Sequence, residues 1–250
     1  MRATMNKAKS FPEHWSPPQR PIDYAESALI NAILSGTFPP GSALPGEREL
    51  SAHLGITRPT LREVLARLAR DGWLVIQQGK PTRINNPWRE GGLNVLAGIV
   101  RHAPDLPASF IPNLLEVRLA LAPAYARAAI GCNPGAVSDF LEGSESLPDE
   151  PPVFAAFDWR LHYSLTVSSG NPVYTLILNG FAGFYEQMAC QYFTYPAARR
   201  ASHLFYARLT EAAHQSDAAA AEIITRHAMA ESIDLWRSMN GNAETSDVTR

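Results

Sequence analysis

The sequence predicts a mainly α protein, with an N-terminal winged helix-turn-helix domain and a C-terminal antiparallel α-helical bundle. Three observations predict it. Between Phe38 and Asn86, two short helical patterns meet at a Gly and lead into a small hairpin. From Val95 to Met239, apolar residues recur at helical spacing almost throughout, with no strand pattern. Between the two, Asn86 to Asn94 (NPWREGGLN) carries a Pro, two adjacent Gly and no period, which marks a boundary.

The elements follow in order. Asp23 to Leu34 is a helix, with Ala25, Leu29, Ile33 and Leu34 as its buried stripe and Gly36 as its stop. Glu47 to Leu54 is a second, with Glu47 and Glu49 in the first turn, where the helix dipole favours acids. Gly55 can take the positive φ that ends it. Thr57 reads as the next N-cap, and Pro59 lies in the new first turn, where a missing N–H costs little. Leu61, Val64, Leu65 and Leu68 recur at i, i+3, i+4 and i+7, and Gly72 closes the helix. Leu74–Ile76 and Thr82–Ile84 are strands around Gln77-Gln78-Gly79-Lys80-Pro81, a wing with a Gly for the tight turn and a Lys near its tip.

The outer face of the third helix points to a function. From Thr57 to Arg70 it carries four Arg against one Glu. Arg58, Thr60 and Arg62 lie at the N-terminal end, the part of a recognition helix that reaches base edges in the major groove. Arg67 and Arg70 lie further along, where phosphates or local salt bridges are the available partners. From Asp23 to Glu90 eight Lys and Arg stand against seven Asp and Glu, a net of +1, so placement of the Arg residues carries the reading rather than bulk charge.

In the second domain Phe110, Leu114, Leu115, Val117 and Leu119 begin a long Ala-rich helix ending near Gly131. Phe154, Phe157, Leu161 and Leu165 mark another, which Ser168-Ser169-Gly170-Asn171-Pro172 ends before starting the next. Val173–Tyr192, Ala197–His214 and Asp217–Met239 complete the bundle. Bundles bind ligands between helices, so polar groups at core-facing positions are the candidates. These are Arg118; the pair Asp158 and His162; Tyr185, Tyr192 and Tyr206; and Arg226, Ser232 and Trp236. An Asp and a His four apart on one face serve either as two ligands of a metal or as a hydrogen-bonded pair.

Composition bounds the rest. The chain of 250 residues is long enough for two cores, and its formal net charge of −2 excludes a polybasic binder. No apolar run approaches a membrane span, and Met1 to Ser10 lacks a signal-peptide core. Cys132 and Cys190 form no CxxC or metal pattern, which together with the missing export signal predicts a cytoplasmic protein. Nucleophile elbow, phosphate-binding Gly loop and complete metal set are all missing, so no enzyme is predicted. The expected layout is a flexible tail at 1–20, the winged helix at 21–86, a linker at 87–94, the ligand-binding and dimerisation bundle at 95–240 and a second flexible tail at 241–250. Trp88 is expected to pack at the domain boundary.

The stretch FPPGSALPGERELSAHLGITRPTLREVLARLARDGWLVIQQGKPTRINNPW, followed by GLNVL, NLLEVR and SGNPVYTLILNG, resembles the fatty-acid-metabolism (FadR) branch of the GntR family of bacterial regulators. The likeness runs from about Tyr24 to Trp236. It implies a homodimer on a palindromic double-stranded DNA operator, released when a long-chain acyl-CoA effector occupies the bundle. It places DNA contacts at Arg48, Thr57, Arg58, Thr60 and Arg62, with Pro59 where the family has Thr, and Gln78 beside Gly79 and Lys80 where the wing tip of the family has His. It assigns Arg118, Tyr192, Arg226, Ser232 and Trp236 to the acyl-CoA response. Phe157, Leu161, Phe181 and Phe184 are expected to line the acyl slot. Ala228, Met229 and Gly241 depart from the Tyr, Gly and Lys of the family, and Arg237 offers a substitute cation. A sister branch holds a metal with an Asp and three His. Asp158 and His162 match two of those positions, Tyr206 and Ala228 stand at the others, and His203 and His227 lie nearby. The alternative function is therefore a regulator sensing a small carboxylate through a metal at Asp158 and His162. A DNA-binding architectural protein without a ligand is a third.

Overall fold

The computed structural model describes residues 20–102 and 109–244, with the side chains of 240–244 left aside. The expected tails therefore fall mostly outside the described residues. Close contacts divide the chain into two compact units, 1–95 and 96–250.

In the first unit α1 (Pro21–Leu34) begins two residues earlier than the apolar stripe alone predicts, with Pro21 in the first turn. It packs on α3 (Arg58–Asp71), as does α2 (Glu47–Leu54). Leu29, Leu61, Val64, Leu68 and Trp73 form the closed core between them. Gly55 ends α2 at φ 65° and Gly72 ends α3 at φ 98°, both in the left-handed region that side chains disfavour. Strands β1 (Leu74–Val75) and β2 (Arg83–Ile84) pair antiparallel, with Leu74 opposite Ile84, and are shorter than predicted. Ala43 adds an isolated antiparallel bridge to Arg83, so the segment before α2 borders the wing. Asn86 caps a single helical turn, α4 (Pro87–Glu90), inside the expected linker. Trp88 on that turn is 61% exposed, because Pro87 takes the buried side of the turn.

α5 (Leu93–His102) crosses from one unit to the other. All the regular elements of the second unit's described residues are helices. α6 (Phe110–Cys132) and α12 (Ala218–Glu244) form its longest contact. α7 (Pro134–Leu141), α8 (Pro151–Ser168), α9 (Pro172–Asn179), α10 (Tyr185–Phe193) and α11 (Pro196–His214) complete the bundle. The Gly170–Asn171–Pro172 junction forms as predicted: Gly170 takes φ 72° and the Asn171 side chain accepts from the Val173 N–H. Asp217 caps α12 through the Ala220 N–H.

The helix expected over Val173–Tyr192 is two helices. A chain of tight turns from Gly180 to Phe184 separates α9 from α10. Gly180 and Gly183 are poor helix formers. A Cβ at Gly183 would come within 3.2 Å of the Arg101 guanidinium on α5, so a side chain there would have to displace that group.

Candidate functional site

The helix-turn-helix places its polar side chains by local rules. Thr57 caps α3 by accepting from the Thr60 N–H at 3.3 Å, and the two hydroxyls lie 2.8 Å apart. The cap fixes the first turn, and the buried stripe of Leu61, Val64 and Leu65 turns the opposite face outward. Arg48, Arg58, Pro59 and Arg62 are all exposed, with Thr60 half-buried beside them. Arg62 Nε donates to Glu47 Oε2 at 2.8 Å, from α3 across to α2. Arg67 pairs with Glu63 and Glu26, and Arg70 with Asp71, so both have local partners. The wing tip turns at Gly79 (φ 72°), where the Lys80 N–H donates to the Gln77 carbonyl, and Gln78, Gly79 and Lys80 are exposed.

The bundle contains an apolar cavity of about 930 Å³, the open solvent at its mouth included. Leu114 and Leu121 of α6, Ile177 of α9, Met188 of α10 and Trp236 of α12 contribute to its walls. Phe181 and Phe184, from the turn that interrupts the expected helix, also line it. The polar part of the wall comes from Arg118, Asp158, Tyr185 and Tyr192. Phe157 and Leu161, expected in the slot, lie instead in the bundle core at 3% and 0% exposure.

Arg118 is the centre of a cluster that ties four helices together. Its Nη2 donates to Asp158 Oδ2 at 2.7 Å and meets His162 Nε2 at 2.5 Å. Guanidinium has no acceptor, so Nε2 must accept, and the His162 proton sits on Nδ1. From there it is donated to the Tyr125 hydroxyl, 2.6 Å away. Tyr185 donates to Asp158 Oδ2 at 2.7 Å and Tyr206 to Oδ1 at 3.1 Å. Arg118 Nε is buried and has no hydrogen-bond partner among the described residues.

The charges settle accordingly. Burial works against ionised Asp158, but the Arg118 charge, with His162 and the two tyrosine hydroxyls, outweighs it and keeps the carboxyl below its ordinary range. Burial also works against the Arg118 charge, and Asp158 more than restores it. For His162 burial comes first and the Arg118 charge second. Together they overcome the pull of Asp158 and bring its pKa to about 3, so the imidazole is neutral.

The metal alternative does not fit this arrangement. Nη2 of Arg118 takes the Asp158 and His162 atoms that would face an ion. Tyr206 at the third position donates a hydrogen bond to Asp158, and Ala228 at the fourth has no ligating atom. Among the described residues no group of three His, Cys, Asp or Glu is placed to hold one. His203 packs edge-on against Phe154.

The other residues expected to bind the ligand separate into three sets. Arg118, Tyr185, Tyr192 and Trp236 do line the cavity. Ser232 lines a smaller cleft, which shares Arg118, Asp158 and Tyr192 with the large one, and its hydroxyl donates to the Met229 carbonyl. Tyr206 is 1% exposed and lines neither, since it lies beneath Asp158. Arg226 is exposed and pairs with Glu222, because the inward-facing Thr225 and Met229 rotate it to the solvent side of α12. Tyr125, which closes the hydrogen-bond chain, was missed by sequence reasoning; its seven-residue spacing from Arg118 on one helix was the available signal.

A capped helix-turn-helix with a wing, followed by a helical bundle containing an apolar cavity, defines the class of winged-helix regulators that carry an all-helical C-terminal domain. Residues 22–84 match the family model for bacterial regulatory proteins of the gntR family, and residues 85–246 match that of the FadR C-terminal domain. The chain belongs to the FadR branch of the GntR family, a family of DNA-binding transcription regulators rather than enzymes. It is 45% identical over 221 residues to the fatty acid metabolism regulator protein of Pectobacterium atrosepticum, covering 88% of this chain and 92% of that protein. The protein of the same name from Shewanella frigidimarina is 42% identical over 219 residues, with the same coverage. The solved structure described as "Lar controls the expression of the Listeria monocytogenes agr system and mediates virulence" covers 89% of this chain and 99% of its own, at a TM-score of 0.61 and 15% identity, a likeness of fold alone. No described helix is long and apolar enough to cross a membrane.

Proposed function

We propose that the protein is a regulator of fatty-acid metabolism that binds a palindromic operator as a homodimer and releases it when a long-chain acyl-CoA enters the bundle. The observation that carries this reading is the cavity itself. Its walls are apolar over most of their extent, as an acyl chain requires, and Arg118 brings an unpaired buried donor, Nε, to its polar end. The names of the relatives support the metabolic assignment.

In this reading the chain divides by task. Residues 21–86 read DNA, 87–94 link, and 95–240 sense the effector and assemble the dimer. Arg58, Pro59, Thr60 and Arg62 face base edges in the major groove. Arg48 and Thr57 flank them, and Gln78, Gly79 and Lys80 bring the wing to the backbone or minor groove. Arg118, Tyr185, Tyr192 and Trp236 surround the acyl-CoA, with Ser232 in the adjoining cleft. The site of action is the cytoplasm, where DNA and acyl-CoA meet. Effector and operator oppose each other, and the coupling is reciprocal: DNA must weaken acyl-CoA binding by the factor that acyl-CoA weakens DNA binding.

Fluorescence anisotropy on a FadR-type palindrome tests the reading, at one fixed salt concentration because phosphate contacts make any affinity salt-dependent. Tight binding that oleoyl-CoA weakens is expected. Tight binding indifferent to oleoyl-CoA would remove the effector assignment and leave the DNA assignment standing.

A further inference from the structure

We infer that Glu47 is a positioning residue for DNA reading: it holds the Arg62 guanidinium by Nε so that its two terminal nitrogens face a guanine. The inference rests on the DNA-binding function proposed above. Glu47 is the first residue of α2, and Arg62 lies in the second turn of α3. Their 2.8 Å contact spans the turn between the two helices, fifteen residues apart.

Stability does not account for the pair. The two side chains are 66% and 40% exposed, and exposed ion pairs add little to folding. The partners of the neighbouring cations sharpen the point. Arg48 and Arg58 make no side-chain hydrogen bond or ion pair among the described residues. Arg67 and Arg70, further along α3, pair with Glu63 and Glu26 and with Asp71, beyond the turns that would reach base edges. Arg62 is thus the cation of the exposed N-terminal half of α3 that is fixed before DNA arrives.

Two consequences follow from the chemistry. With Nε engaged, the remaining N–H groups of Nη1 and Nη2 form the parallel fork that pairs with guanine O6 and N7. The rotamer freedom of a long side chain is then given up before binding rather than during it. A carboxylate on the DNA-facing side also repels phosphate, which holds down binding to arbitrary sequence and widens the gap between right and wrong sites.

The test uses the full-length protein and the tightest duplex that the wild type selects from a random library. Affinities are measured at fixed salt for that duplex, for each single base-pair replacement of it, and for an unrelated duplex. Glu47→Ala is expected to bind the unrelated duplex more tightly and to lose about tenfold discrimination at one base pair per half-site. Arg62→Ala should lose discrimination at that same base pair, and adding Glu47→Ala to it should cost nothing further there. Glu47→Gln, which keeps the side-chain length, should fall between wild type and Glu47→Ala.

Unchanged discrimination in Glu47→Ala would overturn the inference. So would an equal loss on both duplexes with a lowered Tm, which would mean that Glu47 only supports α2. A loss that persists in the Arg62→Ala background would make Glu47 itself the reader, accepting from a cytosine amine. A wild type that selects no duplex defeats the DNA reading itself, and the inference with it. That failure is distinct because it appears before any substitution is made.

Discussion

Replacing Arg118 by Leu is expected to destabilise the bundle strongly at neutral and alkaline pH and much less in mild acid. Asp158 is 2% exposed and ionised, and the substitution leaves it with the hydroxyls of Tyr185 and Tyr206. Breaking a buried ion pair from one side costs about 3–5 kcal/mol, a large part of the stability of a domain. His162 changes the sum. In the wild type its folded-state pKa of about 3 lies below the ordinary value of about 6.5, so the unfolded chain binds more protons between the two. Wild-type stability is therefore complete above that ordinary value and falls with acid, by at most about 1.4 kcal/mol per pH unit from this group. Asp158, also depressed, adds a loss of the same sign at lower pH.

Without Arg118, one of the two causes holding His162 neutral is gone. Asp158 Oδ1 remains 3.8 Å from His162 Nε2 to favour the imidazolium. A proton then enters the cluster as pH falls, whichever of the two residues takes it. A folded-state pKa that rises stabilises the fold below it, so the gap between variant and wild type should narrow towards acid. Urea unfolding followed by far-UV circular dichroism, at steps from about pH 8 to about pH 5.5, reads that gap. A gap of constant size would refute the reasoning, as would a variant as stable as wild type at the alkaline end.

Two further outcomes follow from the same site. Tyr185→Phe removes a charge-assisted hydrogen bond to buried Asp158 and should cost about 1–3 kcal/mol in urea unfolding. Ala189→Phe places a ring in the cavity wall and should weaken oleoyl-CoA binding, measured by calorimetry, while operator affinity without the effector stays at the wild-type value.

Much of the fold was legible because it follows local rules. Thr57 as a cap, Gly55 and Gly170 at positive φ, and the i, i+3, i+4, i+7 stripe of α3 each depend on residues a few positions apart. The winged helix is built almost wholly from such signals. The bundle site is not. Arg118 finds Asp158 forty residues away and His162 forty-four away, a meeting that no local spacing encodes. The three tyrosines read alike in sequence. Tertiary packing turns Tyr185 and Tyr192 to the cavity and Tyr206 beneath Asp158. The break at Gly180–Phe184 was missed for a related reason. Its apolar residues keep helical spacing, yet Phe181 and Phe184 are used to line the cavity, and close approach at Gly183 rewards leaving the helix.

The guanidinium that engages Asp158 and His162, where a metal ion would need the same atoms, has a consequence beyond geometry. A bound ion must be acquired from the surroundings, competes with other ions of similar size, and is lost when supplies fall. Arg118 is made with the chain, in fixed stoichiometry, and keeps its charge at every physiological pH. The cluster that joins α6, α8, α10 and α11 is therefore charged and paired from the moment the bundle folds.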